Sequence, residues 1–594
     1  MSNVAADTAA VFCATLVDEW SRNGVTHAVV CPGSRSTPLA LALVRHGGLQ
    51  VSVRLDERGA GFFGIGLALA TRRPTVVLTT SGTAAAELHA AVVEAHHARV
   101  PLIVCTADRP PELHDVGAPQ TIDQTRLFGR AVRFFAEPGV PDEAARDSWR
   151  SLASRAVAEA RDGPLGPGPV HLNLAFREPL LGRPGELPAA RAPQGSWHRV
   201  VPPGAGATEL ASEIADGLRP GARGVIVAGA GADEVAGDVA ALACELGWPV
   251  LADPRSRCRS ADRNVIGAAD ALLRVEAFAH EMTPEVVLSF GEPWASKVVA
   301  GWISKSAGHG ALHIALDPHW TWRDPGRDVA VLARALPPAS WHRSAPWHRS
   351  ASGGGAREVG PWMKRWAEAE EAAQRAIDGV LSAHAEVTEP GVARALYRYV
   401  PPDGCIVASS SMPVRDLEWF GRPRPTPPRV LANRGANGID GVVSTVLGVA
   451  AARSEKQVFG LVGDLAVLHD ASALVRPAGR GPSMDAVVVV LDNGGGGIFN
   501  FLPQAGELAE AEFELLFGTP QLPRVADFVR ACGYEVTELS SAGELVGALD
   551  ASSTAAAASA LPAFVVVHGD RRANVALHSE IESAVRGALE GSAP

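Results

Sequence analysis

The sequence predicts an α/β protein with three doubly wound domains, each built around a parallel sheet. Short apolar runs of strand character alternate along the chain with segments of helical periodicity, a pattern typical of parallel sheets covered by helices. Two segments rich in Pro, Ala, Gly and Ser, at 183–206 and 335–360, interrupt this alternation and are interpreted as linkers. We therefore expect domains at residues 1–185, 206–335 and 361–594 of the 594-residue chain.

In the first domain, polar turns follow the predicted strands. Helical periodicity at 8–23 is followed by strand candidates at 26–30, 51–57, 75–79, 100–106 and 170–174. The carboxyl ends of parallel strands share one edge, where ligands bind in open α/β sheets. The turn after the first strand contains Ser34 and Arg35, and Arg109 follows the fourth. Arg35 is either a clamp for a carboxylate or phosphate, or a solvated residue beside a capped helix.

The second strand candidate leads to a carboxyl group, that of Glu57. Val51, Val53 and Leu55 share one face by the period of two, and Glu57 continues that face toward the interior. Because burial disfavours the charged form, we expect a raised pKa for Glu57. The alternative is a helix N-cap, a position for which Glu is poorly suited.

The second domain reads as a scaffold. Its strand candidates lie at 224–228, 249–252, 286–290 and 311–315, and the GAGADE segment at 229–234 is an incomplete dinucleotide fingerprint. The exception is Lys297, which follows a strand end and can reach an anionic ligand. A long helix from Pro361 to His384 then leads into the third domain.

Two strand ends in the third domain predict an oxygen-only metal site. The apolar run 458–462 ends at Gly463 and Asp464, and the run 486–491 ends at Asp492, Asn493 and four glycines. Carboxylate, amide and carbonyl oxygens suit Mg²⁺, which takes its remaining ligands from phosphates and water. Two ordinary strand-to-helix turns are the alternative interpretation.

The third domain also repeats the first. Residues 57–60, Glu-Arg-Gly-Ala, resemble residues 433–436, Asn-Arg-Gly-Ala, and each precedes a small-residue helix that ends near an arginine, Arg72 or Arg453. The repeat predicts two related α/β domains separated by a third.

Composition excludes several classes of protein. The net charge of −11 argues against non-specific binding of nucleic acid. The seven cysteines are scattered without a CxxC pair and indicate neither a disulfide framework nor a zinc site. The N-terminus lacks a basic signal region, and no apolar run is long enough to span a bilayer. We expect a cytoplasmic protein without nucleic-acid or membrane partners.

Taken together, these motifs resemble those of thiamine diphosphate-dependent enzymes, in which pyrimidine-binding and diphosphate-binding domains flank a middle domain. Within that family, the segments CPGSRSTPLALAL, LDERGAGFFGIGLA, TADRPPEL, SSSMPVRD and NRGANGIDG are most similar to the 2-succinyl-5-enolpyruvyl-6-hydroxy-3-cyclohexene-1-carboxylate synthases of menaquinone biosynthesis. The resemblance covers nearly the whole chain.

The resemblance implies thiamine diphosphate and Mg²⁺ or Mn²⁺ as cofactors. The metal ligands would be Asp464, Asn493 and the Gly495 carbonyl. The implied cofactor-binding residues are Glu57, Ile439, Gly463, Asp464, Asn493, Gly495, Ile498 and Phe499. The implied substrate-binding residues are Ser34, Arg35, Arg109, Gln120, Lys297, Ser411, Arg415 and Arg434. The implied catalytic residues are Glu57, Arg35, Ser411 and Arg415.

The implied activity is that of a transferase. It decarboxylates 2-oxoglutarate and adds the succinyl unit to isochorismate, as a homodimer or a dimer of dimers. Both substrates are polycarboxylates, which suits the predicted arginines. The alternatives are another thiamine-dependent 2-oxoacid decarboxylase or carboligase, and a non-catalytic ligand-binding paralogue.

The sequence departs from the family pattern at three places. Pro119 stands where Asn is expected, the metal loop reads DNGGGG, and Val298 follows Lys297 where relatives can carry a second basic residue. The first and third departures concern substrate contacts, and the second concerns the cofactor loop.

Overall fold

The computed structural model describes residues 4–191, 195–200, 218, 221–334, 360–476 and 481–591. Three six-stranded sheets follow one another along these residues, and every strand pairing within them is parallel. The predicted class, three parallel-sheet α/β domains, is confirmed. None of the helices among these residues has both the length and the apolar character needed to cross a membrane.

The first sheet has the strand order β2-β1-β3-β4-β6-β5. Its strands are β1 His27–Val30, β2 Gln50–Val53, β3 Thr75–Thr79, β4 Leu102–Asp108, β5 Phe134–Ala136 and β6 Pro169–Ala175. Its α-helices are Val4–Arg22, Thr37–His46, Glu57–Thr71, Thr83–Glu87, His89–Ala98 and Trp149–Asp162. The first helix buries Phe12, Leu16 and Trp20 because apolar residues recur on one of its faces.

The middle sheet is arranged differently. Its strands are β7 Gly224–Ala228, β8 Val250–Ala252, β9 Val265–Ile266, β10 Val286–Phe290, β11 Leu312–Leu316 and β12 Val331–Ala333. Its helices are Ala236–Leu246, Ala269–Leu273, Glu276–Glu281 and Lys297–Gly308. The order β12-β11-β10-β7-β8-β9 is that of a dinucleotide-binding fold, although the fingerprint glycines are incomplete.

The third sheet has the order β14-β13-β15-β16-β18-β17. Its strands are β13 Cys405–Ala408, β14 Arg429–Ala432, β15 Val458–Gly463, β16 Ala486–Asp492, β17 Val536–Leu539 and β18 Ala563–His568. Its α-helices are Pro361–Ala383, Glu389–Tyr399, Met412–Phe420, Val442–Ala451, Asp464–His469, Gln504–Glu507, Glu510–Phe513, Val525–Ala531, Leu545–Ser559 and Arg571–Glu590, and a π-helical turn spans Glu514–Gly518.

The first and third sheets share one topology. Counted within each domain, both place the strands in the order second, first, third, fourth, sixth, fifth. The helices Glu57–Thr71 and Val442–Ala451 each follow the second strand, and each leads to an arginine with left-handed backbone, Arg72 at φ 56° and Arg453 at φ 52°. The internal repeat predicted from sequence is therefore present in three dimensions.

One predicted strand is shorter than expected, which changes the account of Glu57. The strand expected at 51–57 ends at Val53; Val53 and Leu55 are 45% and 74% exposed, whereas Ser52 is buried. The expectation that Glu57 extends an apolar face is wrong. Asp56 caps the next helix by accepting from the Arg58 N–H, and this cap ends the extended segment early.

The segment between β3 and β4 forms two short helices, Thr83–Glu87 and His89–Ala98, that meet at Leu88. The two predicted linkers are described only in part. The linker interpretation of 335–360 lies outside the described residues except at residue 360, and that of 183–206 lies outside them at 192–194 and 201–206.

Candidate functional site

The expected metal ligands meet at the carboxyl edge of the third sheet. β15 and β16 pair in parallel, so Asp464 and Asn493 follow neighbouring strand ends. Asp464 is 6% exposed and begins the helix Asp464–His469, and its carboxyl accepts from the Gly495 N–H. The structure therefore brings Asp464, Asn493 and Gly495 together.

The electrostatics of this edge fit a divalent cation. Burial raises the pKa of Asp464 to about 7, and the neighbouring Asp492 carboxylate contributes to the rise. Burial raises the pKa of Glu389 to about 8, with a further contribution from Asp416. Buried carboxyl groups at such spacing prefer their protonated forms unless a cation compensates their charge.

An unpaired oxygen supports the same fit. Asn493 Oδ1 is buried and has no hydrogen-bond partner among the described residues, whereas its Nδ2 donates to Glu389 Oε1 over 2.8 Å. No group of three or more His, Cys, Asp or Glu side chains forms a metal-sized cluster in the described part of the chain. The available donors are thus one carboxylate, one amide oxygen and loop carbonyls, which is a hard-oxygen set.

The four-glycine loop is shaped by close backbone packing. Gly495 has φ 144°, and a Cβ at this position would lie 2.0 Å from the carbonyl oxygen of Gly518. The Gly496 N–H donates to that same oxygen over 2.8 Å. The loop packs directly on the π-helical turn, so side chains are excluded where the sequence reads DNGGGG.

Glu57 lies at an open cleft in the first domain. The cleft has a volume of about 610 Å³, and all of its lining residues, among them Pro32, Thr80 and Gln120, belong to the first domain. Burial raises the pKa of Glu57, and the carboxylates of Asp56 and Glu87 contribute to the rise. The pKa of Glu57 is therefore raised, as expected. The cause is that Glu57 is half-buried at the start of a helix, and not that it lies inside a strand.

Arg35 is held by the chain itself. Its guanidinium donates to the Phe176 carbonyl over 2.9 Å and to Glu178 Oε1 over 3.1 Å, and the residue is 7% exposed. The alternative of a solvated arginine is wrong. Ser34, in the same turn, is exposed.

Arg109 and Gln120 converge on Ser81. Arg109 donates to Ser81 Oγ, and Gln120 Nε2 donates to the Ser81 carbonyl over 2.9 Å. Burial lowers the pKa of Arg109, and the nearby positive charge of Arg35 contributes. These contacts create a small cationic group at the carboxyl edge of the first sheet.

A second cationic group lies between the middle and third domains. Arg415 Nη1 donates to the Ser411 carbonyl over 2.6 Å, and Ser411 has the left-handed φ of 72°. Burial lowers the pKa of Arg434 to about 10, with contributions from Arg255 and Arg415. Strained backbone and concentrated positive charge are features of binding sites.

The residues before Lys297 are hydrogen-bonded to Glu418, on the helix that also carries Arg415. The N–H groups of Ala295 and Ser296 donate to Glu418 over 2.8 and 2.7 Å, and Lys297 begins the following helix with an exposed side chain. The Glu418 carboxyl thus fixes the start of the Lys297 helix on the helix Met412–Phe420.

The remaining apolar candidates, Ile439, Ile498 and Phe499, are partly buried in the third domain. Ile439 is half-buried between β14 and the helix Val442–Ala451, and Ile498 is half-buried in the turn Gly497–Phe501. The Phe499 ring packs on Phe517 with 5.4 Å between centroids.

Sequence reasoning missed Glu389, Glu418 and Arg255. Glu389 follows Thr388 at the start of a helix, where an acidic residue is unremarkable. Its contact with Asn493 joins residues 104 positions apart, so no local signal identifies it. A carboxyl that is only 5% exposed becomes informative once the fold is known.

Three family models match successive parts of the chain. They are the N-terminal TPP-binding domain of thiamine pyrophosphate enzymes at 12–127, the middle domain at 214–407 and the C-terminal TPP-binding domain at 418–567. TPP denotes thiamine pyrophosphate, also called thiamine diphosphate. The chain is therefore a thiamine diphosphate-dependent enzyme, as expected from its motifs.

Curated relatives show which group of thiamine diphosphate-dependent enzymes the chain resembles. The 2-succinyl-5-enolpyruvyl-6-hydroxy-3-cyclohexene-1-carboxylate synthase of Chloroflexus aurantiacus is 44% identical over 515 residues, covering 85% of each chain. That of Thermobifida fusca is 39% identical over 583 residues, covering 97% of this chain and 98% of the relative. The chain belongs to this synthase family. The synthase of Geobacillus kaustophilus, 40% identical over 87% of this chain and 88% of its own, agrees with this placement.

A solved structure supports the fold of the synthase-family chain. The thiamine diphosphate-dependent 4-hydroxybenzoylformate decarboxylase of Rhodococcus jostii RHA1 superposes with a TM-score of 0.67, covering 94% of this chain and 99% of that one. At 16% identity this likeness concerns the arrangement of the three domains and not the substrate.

Proposed function

We propose that this chain joins 2-oxoglutarate to isochorismate with loss of CO₂, giving 2-succinyl-5-enolpyruvyl-6-hydroxy-3-cyclohexene-1-carboxylate for menaquinone biosynthesis. The observation that carries the proposal is the presence of two half-sites in one chain. One half is a Glu57 cleft in the first domain, and the other is an oxygen site at Asp464 and Asn493 in the third. Both halves lie in domains of one topology.

In this proposal, Asp464, Asn493 and the Gly495 carbonyl hold Mg²⁺ or Mn²⁺ against the diphosphate. The unpaired Asn493 oxygen and the buried Asp464 carboxyl support this assignment. Thiamine diphosphate, when bound, supplies the electron sink for decarboxylation of a 2-oxo acid. Gly463, Ile439, Ile498 and Phe499 complete the proposed cofactor-binding set.

Glu57 is proposed to hold a proton facing the aminopyrimidine ring. Its raised pKa keeps the carboxyl protonated to a higher pH than an ordinary glutamic acid. The carboxyl can therefore donate a hydrogen bond to a ring nitrogen and exchange a proton there.

The two cationic groups are proposed to bind the substrate carboxylates. Ser34, Arg35, Arg109 and Gln120 contribute from the first domain. Lys297, Ser411, Arg415 and Arg434 contribute from the middle and third domains. The four arginines of the set, Arg35, Arg109, Arg415 and Arg434, carry paired N–H donors that match the planar geometry of a carboxylate. Because Arg35 already donates to Glu178, its proposed role is to place positive charge beside Arg109.

We further propose a cytoplasmic homodimer in which each site is shared between chains. The cleft at Glu57 is open and lined entirely by first-domain residues, which leaves its open side available to a surface of another chain. A two-fold partner supplies such a surface in a self-complementary manner.

The deciding experiment is product analysis by mass spectrometry. The purified chain is incubated with 2-oxoglutarate, isochorismate, thiamine diphosphate and Mg²⁺, with Glu57→Gln as a matched control. Formation of the succinylated cyclohexene carboxylate supports the proposal. CO₂ release that is indifferent to isochorismate identifies a different decarboxylase or carboligase. Cofactor binding without turnover of 2-oxo acids identifies a non-catalytic paralogue.

A further inference from the structure

The Glu389 side chain has an unusual position for a residue at the start of a helix. Helix Glu389–Tyr399 is capped by Thr388, whose hydroxyl accepts from the Gly391 N–H over 3.2 Å. The Glu389 carboxyl is therefore not needed as the helix cap. It turns inward, is 5% exposed, and accepts from Asn493 Nδ2 over 2.8 Å.

This contact determines which end of the Asn493 amide faces the site. An amide has a donor end and an acceptor end, and rotation by half a turn exchanges them. With Nδ2 engaged by Glu389, the acceptor end is left buried and unpaired. A Cβ at position 497 would lie 2.6 Å from Nδ2, so Gly497 leaves just enough room for the amide in this orientation.

The neighbouring buried acid has its own partner. Asp416 lies 3.3 Å from His578 Nε2, with both side chains deeply buried. Glu389 is thus the buried carboxyl that accepts from Asn493, although the two residues are 104 positions apart in sequence. The helix Glu389–Tyr399 contains no other predicted site residue.

We propose that Glu389 is a positioning residue that fixes the Asn493 amide so that Oδ1 faces the metal position. The inference rests on the proposed metal site at Asp464 and Asn493. Glu389 does not touch the metal; it prevents the amide from presenting Nδ2, which cannot ligate a cation. Partners of this kind orient metal ligands, and their loss costs about 10–100-fold in metal affinity.

The competing interpretation is that Glu389 only attaches its helix to β16. Under that interpretation, loss of the contact lowers thermal stability and leaves metal affinity unchanged in the folded protein. The two roles are separated by titrating Mn²⁺ into the full-length chain with thiamine diphosphate and following free Mn²⁺ by electron paramagnetic resonance, with the melting temperature measured in parallel.

Two single variants test the need for an acceptor. Glu389→Gln keeps an acceptor oxygen for Asn493 Nδ2 and should bind Mn²⁺ within about threefold of the parent. Glu389→Leu removes the acceptor and should weaken Mn²⁺ binding about 10–100-fold. Parent-like Mn²⁺ affinity in Glu389→Leu overturns the proposal.

A donor–acceptor exchange tests the contact even where Glu389→Leu fails to fold. Asn493→Asp places two carboxyl groups face to face and should bind Mn²⁺ poorly. Glu389→Gln/Asn493→Asp restores a donor opposite an acceptor, with a carboxylate oxygen now facing the metal, and should recover most of the affinity. A double variant no better than Asn493→Asp overturns the proposal.

The parent and Asp464→Ala distinguish this inference from the metal site on which it rests. Parent binding of Mn²⁺ that is lost in Asp464→Ala supports the site, and the Glu389 variants are then decided on their own results. A parent that binds no Mn²⁺, or an Asp464→Ala variant that binds it normally, overturns the site and the inference together.

Discussion

Gly66 and Gly448 face each other where a helix of the first domain crosses a helix of the third. A Cβ on Gly66 would lie 2.2 Å from the Thr445 carbonyl oxygen, and a Cβ on Gly448 would lie 2.2 Å from that of Phe63. The two backbones therefore approach as closely as glycine allows. The crossing joins the domain that carries Glu57 to the domain that carries Asp464.

Gly66→Ala is expected to destabilise the protein. The added methyl group meets backbone rather than a flexible side chain, so the helices have to separate, at a cost of about 1–3 kcal/mol. The melting temperature should fall, measured by calorimetry. Gly301→Ala is the matched control, because it lies in a helix with nothing within 4 Å of the added atom. Equal melting temperatures for Gly66→Ala and the parent would contradict this view of the crossing.

Asp464→Ala is expected to abolish cofactor-dependent turnover. Removal of the carboxylate takes one charged ligand from the proposed metal, so affinity for thiamine diphosphate with Mg²⁺ should fall about a hundredfold or more, measured by calorimetric titration. Asp527→Ala, an exposed carboxyl in the same domain, should behave as the parent. Normal cofactor binding by folded Asp464→Ala would remove this residue from the metal site.

Glu57→Gln is expected to lower turnover about 10²–10⁴-fold with cofactor binding nearly unchanged. The amide has the same shape but cannot exchange a proton with the ring. Proton exchange at C2 of the bound cofactor, followed by NMR, measures this step. Glu143→Gln, an exposed carboxyl of the first domain outside the cleft, should retain most activity. Fast C2 exchange in Glu57→Gln would show that the carboxyl is dispensable.

Arg415→Ala is expected to reduce kcat/KM about 10–100-fold through loss of a charge-assisted contact to substrate. Cofactor affinity should change little, because the Arg415 guanidinium donates to the Ser411 carbonyl and not to Asp464 or Asn493. The control is Arg422→Ala, an exposed arginine paired with Asp378 just beyond the same helix. If kcat/KM for both substrates equals that of the parent, Arg415 does not bind them.

Mixing Glu57→Gln with Asp464→Ala tests the shared site. If each site takes Glu57 from one chain and Asp464 from its partner, random pairing leaves about a quarter of all sites intact. Activity should therefore reappear as subunits exchange, with hybrids counted by native mass spectrometry. Confirmed hybrids that stay inactive would mean that each site is built within one chain.

Much of the fold could be read from the sequence because it depends on local patterns. The strands Thr75–Thr79, Gly224–Ala228 and Val286–Phe290 agree residue for residue with their predicted bounds. Short apolar runs bounded by turns of small residues are typical of buried strands. The expected domain boundaries remain predictions.

The candidate site is predictable only in part. Asp464 and Asn493 were identified because they directly follow strands, and parallel strands end at one edge. Glu57 is a candidate from the sequence, but the alternation of apolar residues before it predicts a strand there. The strand ends earlier because Asp56 caps the following helix, and Val53 and Leu55 are exposed.

The fold class, the repeat and the sheet edge that carries the proposed metal ligands follow from the sequence, because strand and helix periodicity are local properties. Tertiary structure alone decided that Arg35 is buried against Phe176, 141 positions away, and that Glu389 engages Asn493. Such contacts depend on how separate elements pack, and a short sequence window contains no record of that packing.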